Sequence, residues 1–283
     1  MENADYTVLR TALGTAYGAA GMTQSQLLEL LERPDALVWR HLDRPVKLSH
    51  ETLLVEADLP LPGGPIRVAY KQFRPRNWWK SLCQRFRPSR AMRGWNLARA
   101  LAARHIATPR PLAVCEPRGD WLFRSSYLAT EWIAGGENLH LYGWRLAGWP
   151  LPERLREASC CADRLGRLLG QMHAAGVSHR DLKAANLLAV RQGDDLAVYL
   201  VDTDGVRIGR WPGTRRRAAE LARLAVALEA HPWITRSICC RFLRAYAAQF
   251  PPGTIAWKRL WCDVVRRARR AIRRKHRRGE QVL

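Results

Sequence analysis

The sequence contains no run approaching the ~18 to 20 uninterrupted apolar residues that a membrane-spanning helix requires. Its start, Met1-Glu2-Asn3-Ala4-Asp5, is acidic and lacks the basic n-region of a signal peptide, so a cytoplasmic protein is expected. Seven cysteines are present (Cys83, Cys115, Cys160, Cys161, Cys239, Cys240 and Cys262), but none form a C-x-x-C pair. They fall mostly in apolar helical runs and read as reduced, buried, small hydrophobes. Acidic residues are scarce: 25 Asp and Glu stand against 47 Lys and Arg, a formal net charge of +22, and none occurs between Asp58 and Glu116. Such an excess implies an anionic partner and leaves three open: nucleic acid, an anionic membrane surface, or a phosphorylated glycolipid. The low hydrophobicity of a disordered chain is also missing, since 47% of the 283 residues are apolar and 12 are Trp.

The chain changes character along its length. Residues 7–42 carry spaced Leu and Ala with Gly14, Gly18 and Gly21 between them. A firmer helix follows at Gln24 to Glu32, which Thr23 or Ser25 could cap and Pro34 stops, so residues 1–45 read as a helical N-terminal extension. The glycine spacing is not a nucleotide loop, because no strand precedes it and no G-K-[ST] follows. Two strand-like runs, Glu51 to Leu59 and Ile66 to Phe73, flank a Pro/Gly turn and predict a hairpin. A basic stretch from Arg74 to Arg90 leads into a helix over Ala91 to Arg104. Short β-like segments follow at Ala113 to Cys115, Trp121 to Arg124 and Tyr127 to Ile133. Pro152 to Ala175 predicts a long helix closed by Gly176. Strands are expected at Asn186 to Val190 and Leu196 to Val201, and helices from Arg215 onward.

The most specific signal is His179-Arg180-Asp181-Leu182-Lys183-Ala184-Ala185-Asn186, between the long helix and a strand pair. It resembles the protein-kinase catalytic loop H-R-D-L-x-x-x-N in every specified position. In that chemistry Asp181 orients or accepts the proton of the attacking hydroxyl, Asn186 holds a metal bridging the nucleotide phosphates, and Lys183 helps neutralise the transferring group. The next strand delivers Asp202-Thr203-Asp204-Gly205 where D-F-G is expected, so Asp202 is the first metal candidate. Asp204 is a helper ligand or a solvated turn residue. Upstream, Val68-Ala69-Tyr70-Lys71 matches V-A-I-K with one substitution, which makes Lys71 the contact to the α and β phosphates.

Within the protein-kinase-like superfamily the sequence resembles the lipopolysaccharide core kinases, which phosphorylate Kdo or heptose sugars. The likeness rests on Thr108-Pro109-Arg110-Pro111-Leu112-Ala113, on His173 to Asn186, on Asp202 to Arg207, and on Arg241-Phe242-Leu243-Arg244-Ala245-Tyr246. The resemblance implies an α+β, two-lobed fold, with a β-rich N-lobe over 46–133 and a mainly helical C-lobe over 134–283. It implies ATP and Mg²⁺ as cosubstrate and metal, and a lipopolysaccharide core or related glycolipid as acceptor. A pseudokinase scaffold, a kinase with a protein or small-molecule acceptor, and a nucleic-acid binder built on the C-terminal arginines are the alternatives.

Three family features are missing. With no acid between Asp58 and Glu116, the helix at Ala91 to Arg104 cannot supply the Glu that pairs the strand lysine, and Asn96 is the best neutral substitute. The segment Val46 to Thr52 occupies the phosphate-loop position without a Gly, leaving backbone amides from Leu48 to His50 with Lys47 or Ser49 to assist. No A-P-E motif or long activation segment follows Gly205, which favours a small or lipid-linked acceptor and constitutive activity.

Near the C-terminus, Trp261, Val264 or Val265, Ala268 and Ala271 or Ile272 recur at helical spacing among Arg266, Arg267, Arg269, Arg270, Arg273, Arg274, Lys275, Arg277 and Arg278. Such a helix either lies on the anionic face of the inner membrane or packs its stripe on the lobe with its arginines solvated. The Trp78-Trp79 region is a second candidate membrane contact.

Overall fold

A computed structural model describes residues 6–43, 45–61, 63–74, 88–118, 125–209 and 211–279. The Trp78-Trp79 contact and the strand expected at Trp121 to Arg124 lie outside these residues. The chain divides into two compact units, residues 1–103 with 109–133, and residues 104–108 with 134–283.

The first unit is an antiparallel sheet of seven strands: β1 (Tyr6–Thr11), β2 (Gly14–Ala19), β3 (Pro45–Leu48), β4 (Thr52–Leu59), β5 (Ile66–Phe73), β6 (Pro111–Pro117) and β7 (Ser126–Glu131). They lie in the order β1-β2-β6-β7-β5-β4-β3. Helices α1 (Gln24–Glu32) and α2 (Ala36–Arg40) cover one face, and α3 (Arg90–Ala102) covers the other. Alternation along the strands serves both layers. On β6 and β7, Ala113, Cys115, Tyr127 and Ala129 join the core under α1 and α2, whereas Val114 and Leu128 pack with Trp95 of α3.

The expected hairpin is present, with Leu54 opposite Lys71 in β4 and β5. So is the helix Gln24–Glu32. Thr23 is its cap, accepting from the Gln26 amide at 3.3 Å while Gln26 Oε1 accepts from the Thr23 amide at 2.9 Å.

The helical reading of the residues before this helix is overturned: 6–19 form the β1–β2 hairpin, with Tyr6 opposite Ala19. Tyr6, Thr7 and Val8 favour a strand, and each Gly inside a helix would cost about 1 kcal/mol. Here the glycines permit close packing. Gly14 has φ of 146°, and a Cβ on it would sit 2.4 Å from the Glu116 carbonyl oxygen of β6.

The second unit is mainly helical. Its helices are α4 (Leu139–Ala147), α5 (Leu151–Ala174), α6 (Thr214–Ala225), α7 (Arg236–Ala247) and α8 (Trp257–Arg277). Strands β8 (Glu137–Asn138), β10 (Leu187–Gln192) and β11 (Asp195–Leu200) form one small sheet, and β9 (Val177–His179) pairs with β12 (Val206–Ile208). Helices α5 and α7 touch backbone to backbone. A Cβ on Gly166 would lie 2.4 Å from the Phe242 carbonyl oxygen, and one on Gly170 would lie 2.6 Å from that of Tyr246. Two glycines one turn apart on α5 therefore set the approach of α7.

The amphipathic pattern of α8 is resolved in favour of packing. Leu260, Val264 and Ala268 are buried, while Arg266, Arg267, Arg269, Arg270, Arg273, Arg274, Arg277 and Arg278 are exposed. Trp261, Val264 and Val265 also line an apolar cavity of about 200 Å³ within this unit. No helix among the described residues is long and apolar enough to cross a membrane. Burial pushes the Cys115 and Cys161 thiols up to about 12, so both remain protonated and behave as small hydrophobes.

Candidate active site

The catalytic-loop motif is assembled around one imidazole. His179 ends β9 and is fully buried. Its Nδ1 accepts from the Asp181 amide at 3.2 Å, and its Nε2 lies 2.7 Å from the Asp202 carbonyl oxygen. A carbonyl can only accept, so the ring is in the Nε2–H tautomer. The loops bearing Asp181 and Asp202 are thus joined through His179. They are joined again by the Arg180 amide donating to the Gly205 carbonyl at 2.9 Å, and by Val206 lying opposite His179 in the β9–β12 ladder. Gly205 is required by this closeness, since a Cβ there would meet His179 Cε1 at 2.7 Å.

Asn186 closes a 3-10 turn, Ala184–Asn186, and is buried. Its Nδ2 donates to the Asp181 carbonyl at 2.8 Å, and its own carbonyl accepts from the Val201 amide at 3.1 Å. The side-chain oxygen is left as the atom to offer a cation. The Asp181 side chain is 60% exposed and that of Lys183 is 52% exposed, so both can meet an acceptor, and they pair at 3.0 Å. Asp202 Oδ1 accepts from the Asp204 amide at 3.1 Å, which holds the carboxylate in place. Asp204 is half-buried in the turn that follows.

Among the described residues no three His, Cys, Asp or Glu side chains cluster as a protein-only metal cage. Hard oxygen donors from Asn186 and Asp202 fit Mg²⁺, which is usually held by one or two carboxylates together with water and substrate phosphates.

In the first unit Lys71 lies on β5 between Leu54 and Leu128, on the sheet face that α3 covers. It is half-buried, with Nζ 4.8 Å from the centroid of the Phe73 ring. Asn96 is exposed on α3, and its side chain makes no hydrogen bond among the described residues. Lys47 is exposed on β3. Ser49 is committed to its own turn: its amide and Oγ both donate to the Thr52 carbonyl at 2.9 Å, and Oγ also accepts from the Thr52 amide at 3.0 Å. Its hydroxyl could donate to a phosphate only by leaving the Thr52 carbonyl.

The support behind the loop was not visible as such in the sequence. Glu220 of α6 is 2% exposed, and its Oε2 accepts from both the His179 amide at 2.8 Å and His173 Nε2 at 3.0 Å. Arg216 Nε donates to the other oxygen at 3.1 Å. Burial pushes the Glu220 carboxyl up, but these donors together hold it below its ordinary value, so it is ionised. His173 Nδ1 in turn lies 2.7 Å from the Tyr246 hydroxyl of α7. The available signal was that Glu220 is the only acid between Asp204 and Glu229, inside an arginine-rich helix.

The profile of the lipopolysaccharide kinase (Kdo/WaaP) family matches residues 70–246. The lipopolysaccharide core heptose(I) kinase WaaP of Pseudomonas aeruginosa is 28% identical over 202 residues, 67% of this chain and 72% of that protein. The 3-deoxy-D-manno-octulosonic acid kinase of Xanthomonas campestris pv. campestris is 34% identical over 137 residues, 48% of this chain and 49% of the relative. The chain thus spans about half the length of that kinase. A solved structure of WaaP in complex with acyl carrier protein shares the fold, with a TM-score of 0.58 and 22% identity over 84% of this chain and 92% of the other. The fold is accordingly the α+β, protein-kinase-like one, with a β-rich N-terminal part and a helical C-terminal part. With the profile running from the Lys71 strand through the catalytic loop to Tyr246, the chain belongs to the lipopolysaccharide kinase (Kdo/WaaP) family of phosphotransferases.

Proposed function

We propose that this chain transfers the γ-phosphate of ATP to a sugar hydroxyl of a lipopolysaccharide core or a related membrane glycolipid. The observation that carries this reading is the junction at His179, which fixes the Asp181 loop to the Asp202 loop by two side-chain hydrogen bonds.

In this reading Asp181 orients the acceptor hydroxyl and takes its proton as the new oxygen–phosphorus bond forms. The bond from the γ-phosphorus to its bridging oxygen breaks, and ADP leaves. Lys183, paired with Asp181, neutralises charge on the transferring group. Lys71 holds the α and β phosphates, and Lys47, which like Lys71 lies opposite Leu54, assists. Asn186 and Asp202 would hold Mg²⁺, with Asp204 as helper, and the ion would neutralise the developing phosphate charge.

The acceptor's location accounts for the charge. The exposed arginines of α8 favour peripheral association with the anionic cytosolic face of the inner membrane, each contributing ~1 kcal/mol near such a surface before saturation. Because the apolar stripe of α8 is buried in its own unit, this attraction is electrostatic, without insertion of the helix.

The test is transfer of labelled phosphate from ATP by the purified chain to lipopolysaccharide core acceptors, with Asp181→Asn beside it. Transfer by wild type and its loss in the variant are expected. Nucleotide binding without transfer to any acceptor would instead indicate a scaffold. Equal transfer by the variant would remove Asp181 from its role.

A further inference from the structure

The contacts behind the catalytic loop permit every proton to be assigned. Glu220 is an ionised carboxylate and can only accept. Burial lowers His173 below its ordinary value, outweighing the opposing pull of Glu220, with Arg217 and Arg216 adding to the lowering, so this imidazole is neutral. A neutral ring facing a carboxylate through Nε2 must carry its single proton there. Nδ1 is then an acceptor, and the Tyr246 hydroxyl at 2.7 Å is its donor. Tyr246 can serve, because burial raises its phenol well above its ordinary value and keeps it protonated.

We propose that Tyr246 is a positioning residue for the catalytic loop: by donating to Nδ1 of His173, its hydroxyl holds that ring with Nε2–H on Glu220, which in turn accepts from the His179 amide. This deepens the kinase reading and rests on it for the word catalytic. Without that hydroxyl the ring is held on one side only and can turn off Glu220. Glu220 would then tilt toward Arg216, its remaining side-chain donor, and release the His179 amide.

The packing leaves Tyr246 little freedom to do anything else. It is fully buried, meets the His173 ring edge-on at 5.6 Å and 81°, and stacks on Phe242 at 6.2 Å. Its backbone is seated on α5 where Gly166 and Gly170 permit contact, the latter at the Tyr246 carbonyl itself.

The experiment uses the full chain labelled with ¹⁵N at histidine and at backbone amides. Long-range proton–nitrogen spectra read the His173 tautomer, assigned by its loss in His173→Asn. Hydrogen exchange reads the His179 amide, and steady-state kinetics read turnover. Wild type should show a pyridine-type Nδ1 and a protected His179 amide. Tyr246→Phe should keep the Nε2–H tautomer, which Glu220 dictates, and show faster exchange at His179. Its kcat should fall about 10- to 100-fold, as loss of an orienting partner costs at other sites, with the KM for ATP little changed.

A wild-type Nδ1–H overturns the proposal without any variant, which covers a Tyr246→Phe that does not fold. So does a folded Tyr246→Phe whose His179 amide exchanges as slowly as in wild type. If wild type transfers no phosphate, the kinase reading fails, while the tautomer and exchange results still decide whether Tyr246 sets the loop.

Discussion

His179 Nε2 donates to the Asp202 main-chain carbonyl oxygen at 2.7 Å, so one imidazole fixes the distance between the loop that carries Asp181 and the loop that carries Asp202. The ring is enclosed closely enough that the residue facing it has to be Gly205.

Gly205→Ala should therefore cost activity more than stability. The new Cβ would lie 2.7 Å from His179 Cε1 and push the ring off the Asp202 carbonyl or the Asp181 amide. Overpacking of this kind costs roughly 1–3 kcal/mol. Comparison of the thermal midpoint with kcat should show a modest fall in the first and a fall of at least about tenfold in the second, the factor that 1.36 kcal/mol on the barrier produces.

Glu220→Gln keeps the shape and removes the charge. Its amide can still accept from His179, but it presents N–H groups where Arg216 now donates. A loss of about 1–3 kcal/mol is expected in denaturant unfolding, because the donors around this buried site lose their charged acceptor. Unchanged unfolding together with unchanged turnover would show that Glu220 supports nothing.

Gly170→Ala tests the seat of α7. A Cβ 2.6 Å from a backbone carbonyl cannot be relieved by a side-chain rotation, so α5 and α7 must separate. Destabilisation of about 1–3 kcal/mol or more should appear as a lower thermal midpoint, and the His173–Tyr246 bond should weaken with it.

Stability should fall as the pH drops below about 6.5, the ordinary histidine value. Burial lowers both His173 and His231, with Glu220 opposing at the first and His140 adding to the effect at the second. In that window the unfolded chain binds more protons than the folded one, so stability is present above 6.5 and is lost as pH falls toward the folded values. Thermal melts from pH 8 to 5.5 measure it, and a flat midpoint would contradict the buried neutral state of both rings.

Replacing Arg266, Arg267, Arg269, Arg270, Arg273 and Arg274 with Gln should leave the thermal midpoint nearly unchanged, because these side chains are exposed. It should abolish sedimentation with anionic vesicles. Wild-type binding should also fall steeply with salt, whose screening length is ~8 Å at physiological ionic strength. Tight wild-type binding to DNA, lost in the same variant, would point to nucleic acid as the partner.

The sequence was informative wherever a local pattern has a single structural meaning. The loop from His179 to Asn186, the alternation around Lys71 and the cap at Thr23 all depend on residues within a few positions of each other. It was less so where the meaning of a residue lies in its distant neighbour. Gly14 and Gly18 read as helix spacing because the strand they pack beside, β6, begins about a hundred residues later. Glu220 carries no local signature beyond Arg216 one turn earlier, because its other donors come from α5 and β9. The two fates open to the stripe on α8 could be separated only by finding Leu260, Val264 and Ala268 buried.

The β1–β2 hairpin also decides where the chain can be cut. The family match begins at Tyr70 and the kinase-like pattern near residue 46, yet β2 hydrogen-bonds along β6 from Gly14 opposite Pro117 to Gly18 opposite Ala113. An expression fragment begun at either point would strip β6 of its neighbour and expose a row of unpaired backbone groups flanked by apolar side chains. Sheet edges of that kind recruit other copies, so such a fragment should accumulate as aggregate while the full chain stays dispersed.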